Sequence, residues 1–284
     1  MTDIDKLNIK TKSCIRNDRR QVDLDKSINI YVVMTNKCNA ACEFCEFRGN
    51  RNEVDTEQFK EALDIVMKYY NIGTVHFTGG EPTLELDKIK QLCDIIKATD
   101  KSIKTSVNTN GLHLMELAEI ESLDNVALSR HALTDSENYD IFKTNSVASE
   151  KEIEAFPKSK LHLSCNLIQG YIDSEDKIYQ YLEKYSALGV FDVGFVGLMK
   201  INDYCRTRYV EFPDLKQCTF TRSFRNINNN NATCECKNWL YRTSKCNLVS
   251  IYHRHVLGNT DTINYIVYKN NKLFTGFNGE EIVI

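Results

Sequence analysis

Three closely spaced cysteines are the first residues of this 284-residue chain whose types could do chemistry. Cys38, Cys42 and Cys45 stand at CX3CX2C spacing, directly after a β-branched run at residues 28–35. A loop this short can place three thiolates around one corner of an iron–sulfur cluster, which four cysteines normally hold, and so leave one iron open to a substrate. A structural zinc site completed by a distant fourth ligand is the alternative. The spacing therefore predicts a metal centre of one of these two kinds.

A Gly-Gly-Glu-Pro segment at residues 79–82 ends the second predicted strand. Its two glycines let the backbone approach a ligand closely and offer carbonyl acceptors, and Glu81 supplies a charge suited to a cationic amine. Glycine turns between a strand and a helix are common, so the segment alone is weak evidence. Because it comes one strand–helix unit after the cysteine loop, the pair of motifs favours a cofactor site over structural zinc.

Together these motifs resemble those of the radical S-adenosylmethionine (radical SAM) superfamily. In that family a CX3CXΦC loop, with an aromatic residue before the last cysteine, carries a [4Fe–4S] cluster, and Phe44 stands at that position here. The family's Gly-Gly-Glu-Pro segment binds the amino group of S-adenosylmethionine (SAM). This implies cofactor contacts for Gly79, Gly80, Glu81 and Pro82. The resemblance covers about residues 28–200 and is closest, in this core, to the molybdopterin-precursor cyclase-like branch.

The resemblance implies further SAM contacts at the ends of the third, fourth and fifth strands. These are Ser106, Asn108, Ser129, Arg130 and Asn166. Alternation along residues 161–167 and 103–110 separates polar from apolar side chains, which indicates one polar face on each strand. Inward polar groups at the carboxyl ends of parallel strands are where an α/β protein places its chemistry. Solvated strand ends with ordinary asparagine caps are the alternative for any one of them.

A strand–helix rhythm from about residue 28 to residue 199 supplies the elements that must position these groups. Apolar and β-branched runs predict six strands, at residues 28–35, 74–78, 103–109, 125–130, 161–168 and 191–199. Helical segments between them predict parallel βαβ units. The expected fold is α/β, a partial (β/α)6 TIM barrel with a small β-rich, cysteine-containing C-terminal extension.

The alternation of predicted strands and helices ends after residue 199. We predict an N-terminal extension at 1–27, the radical SAM barrel at 28–200 and the C-terminal extension at 201–284. In the extension, Asn270 and Asn271 lie between two alternating apolar runs, which predicts a hairpin turn.

Five cysteines in the extension predict a second, auxiliary [4Fe–4S] cluster, because several radical SAM branches carry one in this position. The expected ligands are Cys205, Cys218, Cys234 and Cys236, with Cys246 as the alternative to Cys205. The spacing is atypical, since it lacks the CX2C pair that the cyclases use. A zinc site and unliganded thiols are the alternatives. Cys14, Cys93 and Cys165 are expected to be structural or unliganded thiols.

Composition limits the partners. With 36 basic and 39 acidic side chains the net charge is −3, so we expect no polynucleotide partner. No apolar run approaches 18 residues and the N-terminus has no apolar core, so neither a membrane span nor a signal peptide is predicted. Eleven cysteines in such a chain indicate reduced thiols and a cytoplasmic location.

The resemblance implies an enzyme, an oxidoreductase or transferase that reductively cleaves SAM to methionine and a 5′-deoxyadenosyl radical. The electron would come from an external donor such as flavodoxin or ferredoxin, and the radical would abstract hydrogen from a small nucleotide-like or amino-acid-derived substrate. A second hypothesis is a radical SAM maturase that modifies a ribosomally made peptide, although we expect some 27 residues before the first strand to be too few for leader recognition. A third is a non-catalytic iron–sulfur or zinc protein, which would not need the amine-binding segment. The sequence assigns no general acid or base.

Overall fold

The computed structural model describes residues 2–4, 7, 27–45, 52–228, 231–256 and 265–283. Within its strands, the side chains of residues 222–236 and 254–256 lie outside this description. The strands are β1 Thr2–Asp3, β2 Ser27–Thr35, β3 Asn71–Gly79, β4 Lys104–Thr109, β5 Asn125–Ser129, β6 Leu161–Leu167, β7 Asp192–Gly197, β8 Cys218–Asn228, β9 Asn231–Arg242, β10 Leu248–Val256, β11 Tyr265–Lys269, β12 Lys272–Phe274 and β13 Glu281–Val283. The α-helices are α1 Thr56–Met67, α2 Leu86–Thr99, α3 Leu114–Ala118, α4 Asp135–Phe142, α5 Glu150–Ala155, α6 Glu175–Ala187 and α7 Asp203–Thr207, and a 3₁₀ helix covers Pro82–Glu85.

The six strands predicted from the sequence are β2 to β7, and they lie side by side in chain order, all parallel. In the described part of the chain β1 and β8 are the outermost strands of one 13-stranded sheet and do not pair with each other. The sheet is therefore open, and the predicted α/β partial barrel is confirmed.

The apolar face of the parallel strands packs under the helices. Val32, Phe77 and Val107 are fully buried there, in one cluster with helical residues such as Leu63 and Leu92. Because side chains alternate along a strand, the opposite face carries the polar groups that line the inside of the barrel. The sequence pattern thus fixes which face of each strand can carry a site.

The C-terminal region extends this sheet at both edges. Strand β10 pairs in parallel with β7 on one side, and β11 pairs in parallel with β2 on the other. Eight consecutive parallel strands result, with β9 and β8 beyond one edge and β12, β13 and β1 beyond the other. Residues 201–284 are rich in strands as predicted, but these strands belong to the central sheet. The three-part division of the chain stays a prediction.

The hairpin predicted at Asn270 and Asn271 is confirmed. It joins β11 to β12, which pair antiparallel, and both asparagines have positive φ, 50° and 59°. Two successive left-handed residues are the requirement of a type I′ turn, which asparagine tolerates. In the described part of the chain no helix combines the length and apolarity that crossing a membrane requires.

Candidate cofactor site

The three-cysteine loop leaves the carboxyl end of β2. Cys38 is exposed, Cys42 is buried and Cys45 is partly buried, and a turn joins the last two through a 3.2 Å hydrogen bond from Cys45 N to Cys42 O. The N–H of Ala40 lies 3.4 Å from Cys38 Sγ. Three thiols within eight residues are a donor set that fits iron–sulfur ligation.

The first half of the loop is anchored to the connection between α4 and α5. Ala41 N donates to Phe142 O at 2.9 Å, and Asn39 Nδ2 donates to Ser146 O at 2.5 Å. The Cys42 side chain packs in a small apolar cluster that includes Phe142. The loop is thus placed by contacts remote in sequence as well as by the strand it follows.

Gly79 and Gly80 hold the start of this loop against the end of β3. Gly80 N donates to Thr35 O and Glu81 N donates to Lys37 O, both at 2.8 Å. A Cβ on Gly79 would lie 2.3 Å from Thr35 O, and one on Gly80 would lie 2.1 Å from Lys37 O. We predicted that the glycines make room for a ligand. In the structure the close approach that requires them is to the backbone of the cysteine loop itself.

The carboxylate of Glu81 is turned into the protein, where only 1% of the residue is exposed. Its Oε1 accepts from Thr83 N at 3.1 Å and from the hydroxyls of Thr83 and Thr109, each at 2.6 Å. Its Oε2 accepts from Asn110 N at 2.8 Å. Through these hydrogen bonds Glu81 ties the end of β3 to the end of β4, and its expected contact with the SAM amine stays a prediction. Buried Pro82 begins the 3₁₀ helix that follows.

Asn110, which our list of cofactor contacts omitted, bridges β4 to the cysteine loop. Its Nδ2 donates to Asn39 Oδ1 at 2.8 Å, and its carbonyl accepts from Ala148 N at 3.1 Å. The sequence feature that could have identified Asn110 is the alternation of side chains along this strand, which groups it with Ser106 and Asn108. Ser106 is buried deeper along the same face, and Asn108 is partly exposed.

Arg130 points away from the predicted site. Its guanidinium is 1% exposed and donates from Nε to Tyr185 Oη at 2.7 Å, from Nη1 to Ala148 O at 3.0 Å and from Nη2 to Asp135 Oδ1. These hydrogen bonds hold the guanidinium among α4, α5 and α6, and the expected contact of Arg130 with SAM stays a prediction. Alternation along β5 already groups Arg130 with buried Leu128 on the helix-facing side.

His131, which sequence reasoning missed, faces the site in place of Arg130. Its Nδ1 accepts from Asn166 N at 3.0 Å, so the neutral ring carries its hydrogen on Nε2. Burial, followed by the nearby Arg130 charge, lowers the pKa of His131 to about 3. The ring meets Phe44 edge to face at 5.3 Å between centroids. A neutral, buried imidazole therefore fixes the aromatic residue of the cysteine loop, while Ser129 and Asn166 lie partly exposed beside it.

The backbone register separates two of the predicted auxiliary ligands, Cys218 and Cys236. Cys218 pairs with Tyr241 on β9, whereas Cys236 lies five positions further along that strand, about 17 Å away at 3.4 Å per residue. Burial, with a smaller contribution from Glu175, raises the pKa of the Cys218 thiol to about 12. The side chains of Cys234 and Cys236 lie outside the described residues.

The other two candidates also lie apart. Cys205 is 1% exposed in α7, against the first cysteine loop, and Cys246 is exposed in the turn between β9 and β10. A cluster that joins Cys205, Cys218 and Cys236 is therefore not supported. Among all described residues, no three His, Cys, Asp or Glu side chains lie close enough together to hold a metal ion in this conformation, the Cys38–Cys45 loop included.

Comparison with known proteins supports the resemblance found in the central part of the chain. The radical SAM superfamily profile matches residues 32–160, which include the cysteine loop and the Gly-Gly-Glu-Pro segment. Residues 32–160 therefore match a radical SAM superfamily domain. The superfamily's cofactors are a [4Fe–4S] cluster and SAM, and the loop that carries Cys38, Cys42 and Cys45 lies in the matched region and is a donor set that fits the cluster.

Curated relatives of this chain carry the name "Probable GTP 3′,8-cyclase". One from Saccharolobus islandicus is 25% identical over 200 residues, which is 66% of this chain and 62% of the relative. Another from Thermococcus kodakarensis is 34% identical over 113 residues, 37% of this chain and 35% of the relative. The matched region therefore spans less than two thirds of the relatives' length.

Solved structures show the same fold. Streptococcus suis SuiB bound to S-adenosylmethionine superposes with a TM-score of 0.54 at 18% identity, over 66% of this chain and 44% of SuiB. SuiB bound to its precursor peptide SuiA gives 0.51 at 17% identity, over 70% of this chain and 50% of SuiB. At these identities the likeness concerns the fold alone.

Proposed function

We propose that this chain is a radical SAM enzyme that acts on a small, nucleotide-like substrate. One arrangement carries the proposal: the three-thiol loop, joined to β3 by backbone hydrogen bonds at Thr35 and Lys37, at the carboxyl ends of parallel strands. The cyclase name of the curated relatives supports the nucleotide class. An oxygen-sensitive centre built on reduced thiols also supports a cytoplasmic location and an electron donor such as flavodoxin or ferredoxin.

When bound, the cluster and SAM supply reductive cleavage to methionine and a 5′-deoxyadenosyl radical that abstracts hydrogen. The chain would supply the ligands of the cluster and the residues that line the site. Cys38, Cys42 and Cys45 would hold the cluster, and the Glu81–Asn110–Asn39 hydrogen bonds keep their loop against β4. His131 fixes the Phe44 ring, and Ser129 and Asn166 are the partly exposed polar groups available to SAM on this face. No proton transfer is assigned.

The test is anaerobic reconstitution with iron and sulfide, followed by assay of iron and of 5′-deoxyadenosine formed from SAM under dithionite. We expect iron uptake and deoxyadenosine from the parent, and no deoxyadenosine when Cys38, Cys42 and Cys45 are all changed to Ala. Cys93→Ala is the matched control, because burial raises the pKa of that thiol to about 12. Zinc in place of iron would overturn the proposal in favour of a non-catalytic metal protein.

Substrate class is tested by adding GTP, other nucleoside triphosphates and short peptides to the loaded enzyme. A rise in deoxyadenosine with a nucleotide, and with none of the peptides, is the expected result. The reverse would favour a peptide maturase.

A second cluster that uses Cys234 and Cys236 stays a prediction. It requires about eight irons per chain in the parent, and about four in a variant with both residues changed to Ala. About four irons in both proteins would contradict it.

A further inference from the structure

The short helix α7 contacts the second half of the cysteine loop. Asn202 Nδ2 donates to Glu43 O at 3.0 Å, and Cys205 Sγ lies 3.5 Å from Phe44 O in donor geometry. Two consecutive carbonyls of the loop thus accept hydrogen bonds from residues about 160 positions later in the chain. The carbonyl of Phe44 belongs to the same rigid peptide unit as the N–H of Cys45, so holding it restricts the direction in which the Cys45 side chain leaves the backbone.

The local structure of α7 makes both contacts possible. Asn202 is its N-cap, and its Oδ1 accepts from Cys205 N at 2.8 Å, so one side chain caps the helix and binds the loop. Cys205 is buried in an apolar cluster that also packs against the Phe44 ring. The other half of the loop has its own anchors at Phe142 and Ser146, described above.

We propose that Asn202 and Cys205 are positioning residues for the iron–sulfur loop, and that Cys205 acts as a hydrogen-bond donor and not as an iron ligand. Asn202 and Cys205 together are called the α7 clamp. The role of the clamp rests on the proposed function, since the clamp orders the segment that carries Cys45, a ligand of the proposed cluster. Its existence as a structural constraint does not depend on iron.

Asn202→Ser tests the contact of Asn202 with the cysteine loop separately from its role as the N-cap of α7. Serine is a good N-cap, so α7 keeps its first hydrogen bond, but the shorter side chain loses the amide that reaches Glu43 O. Cys205→Ala removes the thiol donor, whereas Cys205→Ser keeps a donor in the same place. Cys93→Ala removes a different fully buried thiol from α2 and serves as the control for a general loss of packing.

The first measurement is hydrogen exchange of the peptide that contains Cys45 in the apo-protein, with thermal unfolding recorded for every variant. We expect exchange about five- to tenfold faster in Asn202→Ser and Cys205→Ala, close to the effect of one lost hydrogen bond, and near-parent exchange in Cys205→Ser. Cys93→Ala should lower the melting temperature without changing exchange in this peptide. Parent-like exchange in both Asn202→Ser and Cys205→Ala would overturn the clamp.

The second measurement is the rate at which reconstituted protein releases iron to a chelator. Release should accelerate by a similar factor in Asn202→Ser and Cys205→Ala, with rescue in Cys205→Ser. Failure of both Cys205 variants to take up iron that the parent and Cys93→Ala retain would identify Cys205 as a ligand and overturn its assignment as a donor. If the parent itself takes up no iron, the proposed function fails, while the exchange comparison still decides whether the clamp exists.

Discussion

At the residue scale, several side chains at the candidate site form their hydrogen bonds and ring contacts with other residues of the chain. Glu81 accepts four hydrogen bonds, from Thr83 in the 3₁₀ helix and from Thr109 and Asn110 at the end of β4, and Arg130 is turned beneath the helices. His131 occupies the position beside Phe44. These residues stabilise the frame in which the cysteine loop lies, so their substitution should first be visible in the apo-protein.

Glu81→Ala should lower the free energy of unfolding by about 3 kcal/mol, because it leaves Thr83 N–H, Thr109 O–H and Asn110 N–H buried without an acceptor. Urea unfolding of the apo-protein measures this. Glu116→Ala is the control, since that side chain is half exposed. Unchanged stability, together with weakened SAM binding, would instead support the original expectation that Glu81 faces the SAM amine.

Stability of the apo-protein should fall as the pH drops from about 6.5 towards 5, and His131 should contribute most of this slope. Its pKa is about 3 when folded and about 6.5 when unfolded, so the unfolded state binds the additional proton in this window. The contribution is about 1.4 kcal/mol per pH unit once the unfolded imidazole is protonated. Urea unfolding at several pH values should show this slope in the parent and its loss in His131→Gln. Equal slopes in the two proteins would contradict the prediction.

At the scale of elements, the junction of β2, β3 and the cysteine loop is the tightest part of the site. The backbone of the loop passes so close to Gly79 and Gly80 that neither position has room for a Cβ. Further contacts come from the α4–α5 connection at Phe142 and from α7 at Asn202. Together with the bond from Asn110 at the end of β4, these contacts position the loop from elements that are distant from one another in sequence.

Gly80→Ala should displace the cysteine loop, because the new Cβ would lie 2.1 Å from Lys37 O, a backbone atom that cannot rotate away. We expect a loss of about 3 kcal/mol in stability and little iron uptake on reconstitution. Gly276→Ala is the matched control, as the nearest atom to its Cβ would be Tyr265 Oη at 3.8 Å. Normal iron uptake by Gly80→Ala would show that the loop does not need this contact.

At the scale of the whole molecule, the C-terminal region completes the sheet on both sides. Strand β10 covers the edge of β7, and β11 covers the edge of β2, so both outer strands of the six-stranded barrel gain hydrogen-bonding partners. An edge strand with unpaired backbone groups is a site for aggregation. Residues beyond 200 therefore stabilise the barrel as part of one sheet, whether or not they also hold a cluster.

Unfolding of the apo-protein in urea should be a single transition. Trp239, the one tryptophan of the chain, lies buried in β9 and reports on the C-terminal region, while far-ultraviolet circular dichroism reports on all helices and strands. Because β10 links β9 to the barrel, the two signals should have the same midpoint. Separate midpoints would support residues 201–284 as an independent domain.

The sequence by itself predicted the resemblance to the superfamily, the six parallel strands, the Asn270–Asn271 turn and the loop that carries the three thiols. Each of these follows from a local pattern: a cysteine spacing, a period of two, or a pair of turn residues. Only the tertiary structure decided that Glu81 is turned into the protein, that Cys205 lies against Phe44, and that residues 201–284 flank both edges of the sheet. A side chain's direction at a strand end and the pairing of strands distant in sequence depend on contacts across the fold, and no local period records those contacts.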